Sequence, residues 1–285
     1  MAVLQNKIDF VAFISVTRAN GNGDPLDGNR PRTDYNGLGE ISDVCIKRKI
    51  RNRMQDLGNA IFVQSNDRCQ DGYASLSERA AASMKDIKDR NQYAKIACEK
   101  WIDVRSFGQV FAFSNGKNEE GVSVGVRGPV SIHQAVSIDP VEVESMQITK
   151  SVNGAKAEKG KGRTSDTMGT KHFVRFGLYE VKGSINVQLA ERTGFTEEDA
   201  ETIKEALRTL FVNDASAARP EGSMEVIKLF WWKHTCKDGS YSSAKVHRLA
   251  RAVLKDPEKT PASAGDYIIT VDTLPGLNVE EIDGI

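Results

Sequence analysis

Three aspartates, three asparagines, three arginines and three glycines stand between Arg18 and Asp34 (RANGNGDPLDGNRPRTD). Carboxylates at Asp24, Asp27 and Asp34 are the raw material of a Mg²⁺ site, and so of nuclease chemistry. Asn amides, guanidinium forks and free backbone N–H groups of a glycine-rich loop are the raw material of a phosphate-backbone contact. An ordinary surface loop has the same composition. The metal reading lacks a pattern, because a calcium loop counted from Asn20 puts Pro25 where glycine is required. Gly21, Gly23 and Gly28 do not form a dinucleotide fingerprint, since no helix opens at once after them. The chain holds no P-loop, and His133, His172, His234 and His247 show no HxxxH or HxH pairing. Cys45, Cys69, Cys98 and Cys236 lack CxxC spacing, which fits reduced thiols better than a zinc knuckle or a disulfide framework. No catalytic residue, metal or cofactor is assigned on these grounds.

The elements that must hold this loop are well signalled. Ile8 to Thr17 (IDFVAFISVT) is rich in β-branched and aromatic residues and predicts a strand leading into it. Ser42 to Leu57 (SDVCIKRKIRNRMQDL) predicts a helix capped by Ser42 or Asp43 and stopped at Gly58. Ile46, Ile50, Met54 and Leu57 make its apolar stripe, with Lys47 and Arg51 on one flank. Between 42 and 53 there are five basic residues and one acid, so strand, loop and basic helix are placed to converge on an anion. A solvated basic face is the plainer alternative.

Further on, Leu76 to Trp101 reads as helical and Phe107 to Phe113 as a short apolar element. Val122 to Ile138 alternates as a strand does, and Val141 to Ser151 and His172 to Val187 are strand-like. Between the last two, Ser151 to Thr170 is rich in Gly, Lys, Ser and Thr, which makes it a flexible loop or the tip of a long hairpin. Thr196 with Asp199 three places on announces a helix whose stripe is Ala200, Ile203, Leu207, Leu210 and Phe211. Met224 to Trp232 predicts a buried strand in which the two tryptophans face opposite sides. Ser242 to Lys255 predicts a final helix, and Tyr267 to Thr273 a final strand before an acidic tail. The class is α+β, and the order is compatible with a split β-α-β-β-α-β core.

The 285 residues carry 39 basic and 39 acidic side chains, yet the charges are segregated. Lys150 to Arg175 has a basic excess of five, whereas Thr196 to Glu205 and the tail from Asp272 are acidic. Such a chain suits a basic groove on one side and an acidic surface that meets a neighbouring copy, or separately solvated helices. No stretch approaches the ~18 apolar residues that cross a bilayer, and MAVLQNKID has no signal core, so a cytoplasmic protein with no membrane partner is expected.

The run NGNGDPLDGNRPR at 20–32 followed by DVCIKRKIRN at 43–52 resembles the Cas-seven family, in its Csd-two branch, the backbone subunit of type I-C CRISPR Cascade complexes. DVRSFGQVF at 103–111, GVRGPVSIHQ at 125–134 and GTKHFVRFGLYEV at 169–181 fit the same pattern in the same order. The similarity covers most of the chain. It implies one elaborated domain over 1–285: a ferredoxin-like or RNA-recognition-motif palm, a finger insertion over 59–102, and a thumb hairpin over 141–175. It also implies a non-catalytic subunit that polymerises head to tail along CRISPR RNA and presents it for pairing with target DNA, beside the processing and large Cascade subunits. Basic and amide residues inside the matched motifs supply the expected RNA contacts: Arg18, Asn20, Asn22, Lys47, Lys49, Arg51, Arg105, Arg127, Lys150 and Lys171. Met168, the one large apolar residue near the hairpin tip, is the expected base wedge, or else folds back on its own domain. Two rivals stand: a metal-dependent RNA endonuclease of the type III backbone kind using an Asp of the first loop, and a self-assembling structural protein without RNA.

Overall fold

Alternation along one strand organises the molecule. In the computed structural model, which describes residues 2–84, 87, 89–112, 123–150 and 168–285, β1 (Ile8–Ala19) is buried on both faces. Ile8, Phe10, Ala12, Ile14 and Val16 point to one core, and Val11 and Phe13 to another. A strand covered on both sides needs an almost continuous apolar run, and IDFVAFISV supplies it. The chain then forms a small meander of β2 (Gly23–Asp24), β3 (Arg30–Pro31) and β4 (Leu38–Ile41).

Helix α1 (Asp43–Asp56) starts at Ser42, whose hydroxyl accepts from the Cys45 N–H, and ends where Gly58 takes φ +84°. Ile46, Ile50 and Met54 are buried as the stripe requires, while Leu57 is left half exposed. Next come α2 (Leu76–Met84), α3 (Arg90–Lys100) and α4 (Ile102–Phe107), followed by the hairpin β5 (Gly108–Ala112) and β6 (Ser123–Arg127). Phe62, Tyr93, Trp101 and Phe111 pack these pieces into a third, separate cluster. The single helical pattern read over Leu76–Trp101 is thus two helices, and the strand read over Val122–Ile138 is three: β6, β7 (Val130–Ile132) and β8 (Ala135–Pro140).

β9 (Val143–Thr149) and β10 (Met168–Ile185) pair from Val143↔Val174 to Thr149↔Met168. The Ser151–Thr170 loop lies outside the described residues as far as 167. α5 (Val187–Thr193) and α6 (Glu197–Arg208) follow, the latter with the full Thr196–Asp199 capping box. In β11 (Met224–Lys233), Trp231 stacks on Phe10 at 5.4 Å in the first core, and Trp232 joins Phe230 in the second. The helix expected over Ser242–Lys255 stops early: α7 covers Ser243–His247, and β12 (Ala250–Leu254) pairs with β13 (Tyr267–Val271). Ala250 and Ala252 are buried while Arg251 and Val253 face out, a period of two that outweighs helix propensity once a partner strand is present. The acidic tail is structured too, as β14 (Val279–Asp283) on the sheet edge, with Lys228 and Lys204 pairing Asp283 and Glu280.

The main sheet runs β14-β11-β1-β10-β8-β4, all antiparallel. Helices α1, α5 and α6 cover the face of the first core, and α7 with the β12–β13 pair covers the other. No helix among the described residues is long and apolar enough to cross a membrane.

Candidate nucleic-acid interface

The first loop is a set of pinned turns. Asn20 is 3 % exposed, its amide donates to the Asn29 carbonyl at 2.7 Å, and its backbone N–H donates to Ala218 O at 2.9 Å. Asn22 Oδ1 accepts from the Ser42 N–H at 2.9 Å and so ties the loop to the head of α1. Both asparagines therefore shape the loop from within. The aspartates do not converge. Asp24 accepts from Leu26 N and pairs with Arg32 at 3.3 Å, Asp27 lies 3.9 Å from Arg30, and Asp34 caps its own turn through Asn36 N and Leu38 N. Among the described residues no group of three or more His, Cys, Asp or Glu side chains is placed to hold a metal ion.

The basic face of α1 is largely spoken for. Arg48 donates to Val63 O, Arg51 pairs with Asp103 at 3.1 Å, and Arg53 donates to Thr209 Oγ1. Asp103, buried, also accepts from Phe62 N and Val63 N, so Arg51 completes a carboxylate site that anchors the helical insertion. Lys49 is 4 % exposed, bonded to Asp214, and its ammonium lies over the Phe211 ring; burial pulls its pKa down despite the Asp214 charge. Lys47 makes only a helix-surface pair with Asp43 at 2.9 Å, a bond that an incoming phosphate can exchange. Arg105 forks onto both oxygens of Asp199 at 2.6 and 2.8 Å, locking α4 to the capping box of α6.

Four of the sequence-predicted cations, Arg18, Arg127, Lys150 and Lys171, have side chains with no hydrogen bond or ion pair to another described residue. Arg18 stands at the end of β1 with φ +49°. Lys150 and Met168 sit at the described end of the β9–β10 ribbon, where Met168 is 67 % exposed and touched by the Gln147 amide. Lys171 and Asn20 line one cleft of about 240 Å³, together with Gly28, Asn29, His172 and Ala218. Arg127 lies apart, with Arg192 in a shallow depression beside α5. The structure thus joins loop and ribbon into one surface and leaves Arg105 and Arg127 elsewhere.

His172, Ser145 and Arg30 at this surface escaped the sequence reading. Arg30 donates to Ser145 Oγ at 3.0 Å and Ser145 meets His172 Nδ1 at 2.8 Å. These residues are too far apart along the chain for spacing to reveal them, and only the adjacency of Lys171 and His172 gave a local signal.

Comparison with known proteins supplies the class. A family model described as CRISPR-associated protein Cas7 matches residues 6–272. The CRISPR-associated protein Cas7 of Haloferax volcanii is 24 % identical over 214 residues, which are 70 % of this chain and 62 % of that relative. The chain therefore spans less than two thirds of the length of the curated relative it matches. A chain of a CRISPR RNA-guided surveillance complex in a pre-nicking state is 17 % identical, with 85 % of this chain and 81 % of that one covered and a TM-score of 0.49. A second CRISPR RNA-guided surveillance complex gives 18 % identity, 85 % and 74 % coverage, and a TM-score of 0.45.

Proposed function

The chain belongs to the CRISPR-associated Cas7 family, and from that premise we propose that it is a non-catalytic backbone subunit that binds CRISPR RNA. The observation that carries this reading is the family match over 6–272, which takes in the first loop, α1 and the β9–β10 ribbon. The ordered motifs favour the Csd-two branch and a type I-C Cascade in the cytoplasm, with the processing and large subunits as further partners. A ferredoxin-like palm is supported by the strand neighbours β11-β1-β10-β8, connected β1–α1–β8 and β10–α6–β11. Residues 59–102 form the finger and 141–175 the thumb.

Several copies polymerise head to tail along the guide, the acidic edge strand β14 of one copy meeting a basic surface of the next. Phosphates are held by Arg18, Lys47, Arg127, Lys150 and Lys171, the predicted cations that the fold leaves free or weakly engaged. Asn20, Asn22, Lys49, Arg51 and Arg105 build the scaffold beneath them. Met168 enters between bases, where an apolar wedge gains contact at the cost of unstacking, and the remaining bases pair with target DNA. The protein thus reads charge and shape, and base pairing reads sequence. The separate anchoring of Asp24, Asp27 and Asp34 favours a scaffold over an Asp-dependent nuclease.

Expression with a CRISPR array and the operon neighbours, followed by sequencing of copurified RNA, tests the reading. Processed guides in a multi-copy particle are expected. An RNA-free monomer under the same conditions overturns it.

A further inference from the structure

β1 leaves the sheet after Ala19, whose partner is Val174. From Met168 to Phe173, β10 has β9 along one side and no described strand along the other. This stretch borders the cleft of about 240 Å³, whose walls include Gly28 and Asn29 of the first loop and Ala217 and Ala218 of the segment before β11. Asn20 fixes both walls, through Asn29 O and Ala218 O. None of the lining residues is acidic, and Lys171 and His172 are the basic ones.

The imidazole is oriented by a relay. Ser145 Oγ accepts from the Arg30 guanidinium and lies 2.8 Å from His172 Nδ1, to which its hydroxyl proton can be donated. In the tautomer in which Nδ1 accepts that proton, the ring hydrogen is on Nε2. The residue beside Nε2 is Gly28, at φ +55°, where an added Cβ would stand 4.0 Å from that nitrogen. The absence of a side chain keeps the N–H open to the cleft. A nearby cation, an imidazole donor and a strand edge with no described partner strand, with no carboxylate among the lining residues, are complementary to a phosphodiester.

We propose that His172 Nε2–H holds one phosphate of the bound RNA strand in this cleft, with Ser145 and Arg30 as the positioning residues and Lys171 adding positive charge from the other face of the same strand. The inference rests on the RNA-binding reading above and adds to it a specific donor and the relay that aims it.

Binding of the full-length chain to a guide RNA, measured over a range of salt, tests it. His172→Ala should weaken binding about tenfold for every guide sequence, and His172→Gln, whose amide N–H reaches a similar point, should restore much of the loss. Ser145→Ala should cost less and should turn the ¹⁵N signature of His172 from a single Nε2–H tautomer into a mixture. A guide carrying one methylphosphonate at the seated position should bind wild type more weakly and His172→Ala no more weakly than unmodified RNA. Wild type that binds the guide alongside an equally tight His172→Ala overturns the inference and leaves the RNA reading intact. Wild type that binds no RNA overturns both. If His172→Ala fails to fold, Gly28→Asn, tolerable at positive φ, covers Nε2 without touching the ring, and unchanged affinity there overturns the inference.

Discussion

Lys49 falls in the motif that suggested phosphate binding, yet its partner is Asp214, and the two roles predict opposite phenotypes. Asp214→Ala would leave a lysine that is 4 % exposed without its carboxylate and beside the Arg219 guanidinium. Removing one partner of a buried pair costs about 3–5 kcal/mol. At about 2–4 °C per kcal/mol for a chain of this size, the melting temperature should fall by about 6–20 °C. Lys49→Met is the milder change, because Asp214 keeps Arg219 at 3.3 Å and a methionine fills the lysine stem's place over Phe211. It should cost no more than about 1 kcal/mol, and adding it to Asp214→Ala should recover most of the loss. Thermal unfolding of the four proteins checks the cycle. The pH dependence gives a second reading: burial holds the Lys49 pKa below its ordinary 10.5, so above the depressed value the unfolded chain binds more protons. Wild type should therefore gain stability relative to Lys49→Met as pH rises towards 10.5. The reasoning is refuted if Lys49→Met is the more damaging variant, or if it lowers RNA affinity while stability stays unchanged.

Asp199→Ala, which strips Arg105 of its fork and α6 of its capping box, should cost about 2–4 kcal/mol in denaturant unfolding. Met168→Ala should leave stability within about 0.5 kcal/mol yet change the pattern of flipped-base chemical reactivity along the guide; an unchanged pattern rules out the wedge. Lys150→Ala with Lys171→Ala should flatten the salt dependence of guide binding by about 1.4 in the log–log slope, at about 0.7 per single-strand phosphate, and an unchanged slope refutes both contacts. His247 has its pKa held below 6.5, chiefly by burial and then by His133 and Lys182, against the Gly183 carbonyl and Asp9. Below pH 6.5 the unfolded chain takes the proton that the folded one refuses, so stability should fall from pH 7 to 5, and His247→Asn should lessen that slope in urea titrations.

Elements that carry their own evidence were legible. β1 and β11 are largely apolar runs, and α1 and α6 each bring a cap and a stripe. Elements defined by a distant partner were not. Ala250–Leu254 becomes a strand because Tyr267–Val271 lies beside it, and Val279–Asp283 because β11 offers an edge, with Lys228 of β11 and Lys204 of α6 pairing its acids. The candidate site divides in the same way. Lys150, Met168 and Lys171 were readable as exposed residues of a hairpin. The Arg30–Ser145–His172 relay was not, since Arg30 and Ser145 are 115 residues apart and meet only when the β3 turn folds against the ribbon.

A local charge count fails on α1 for a reason that applies to any basic helix inside a larger fold. Five basic side chains over 42–53 looked like a surplus, with Asp43 as the only acid in the window. The compensating groups stand elsewhere: Asp103 is 52 residues from Arg51, and Asp214 is 165 residues from Lys49. Arg48 and Arg53 are answered by a carbonyl and a hydroxyl, which no charge count includes. Helix α1 thereby fastens the insertion at 62–63 and 103 and the segment after α6 at 209 and 214 to a single rod. Four of its five cations are engaged in making the platform, and Lys47 alone keeps only a surface pair with Asp43 among the described residues. Net charge near a motif therefore does not show which cations are available to an anion, and the discriminating question is which of them the fold leaves without a carboxylate.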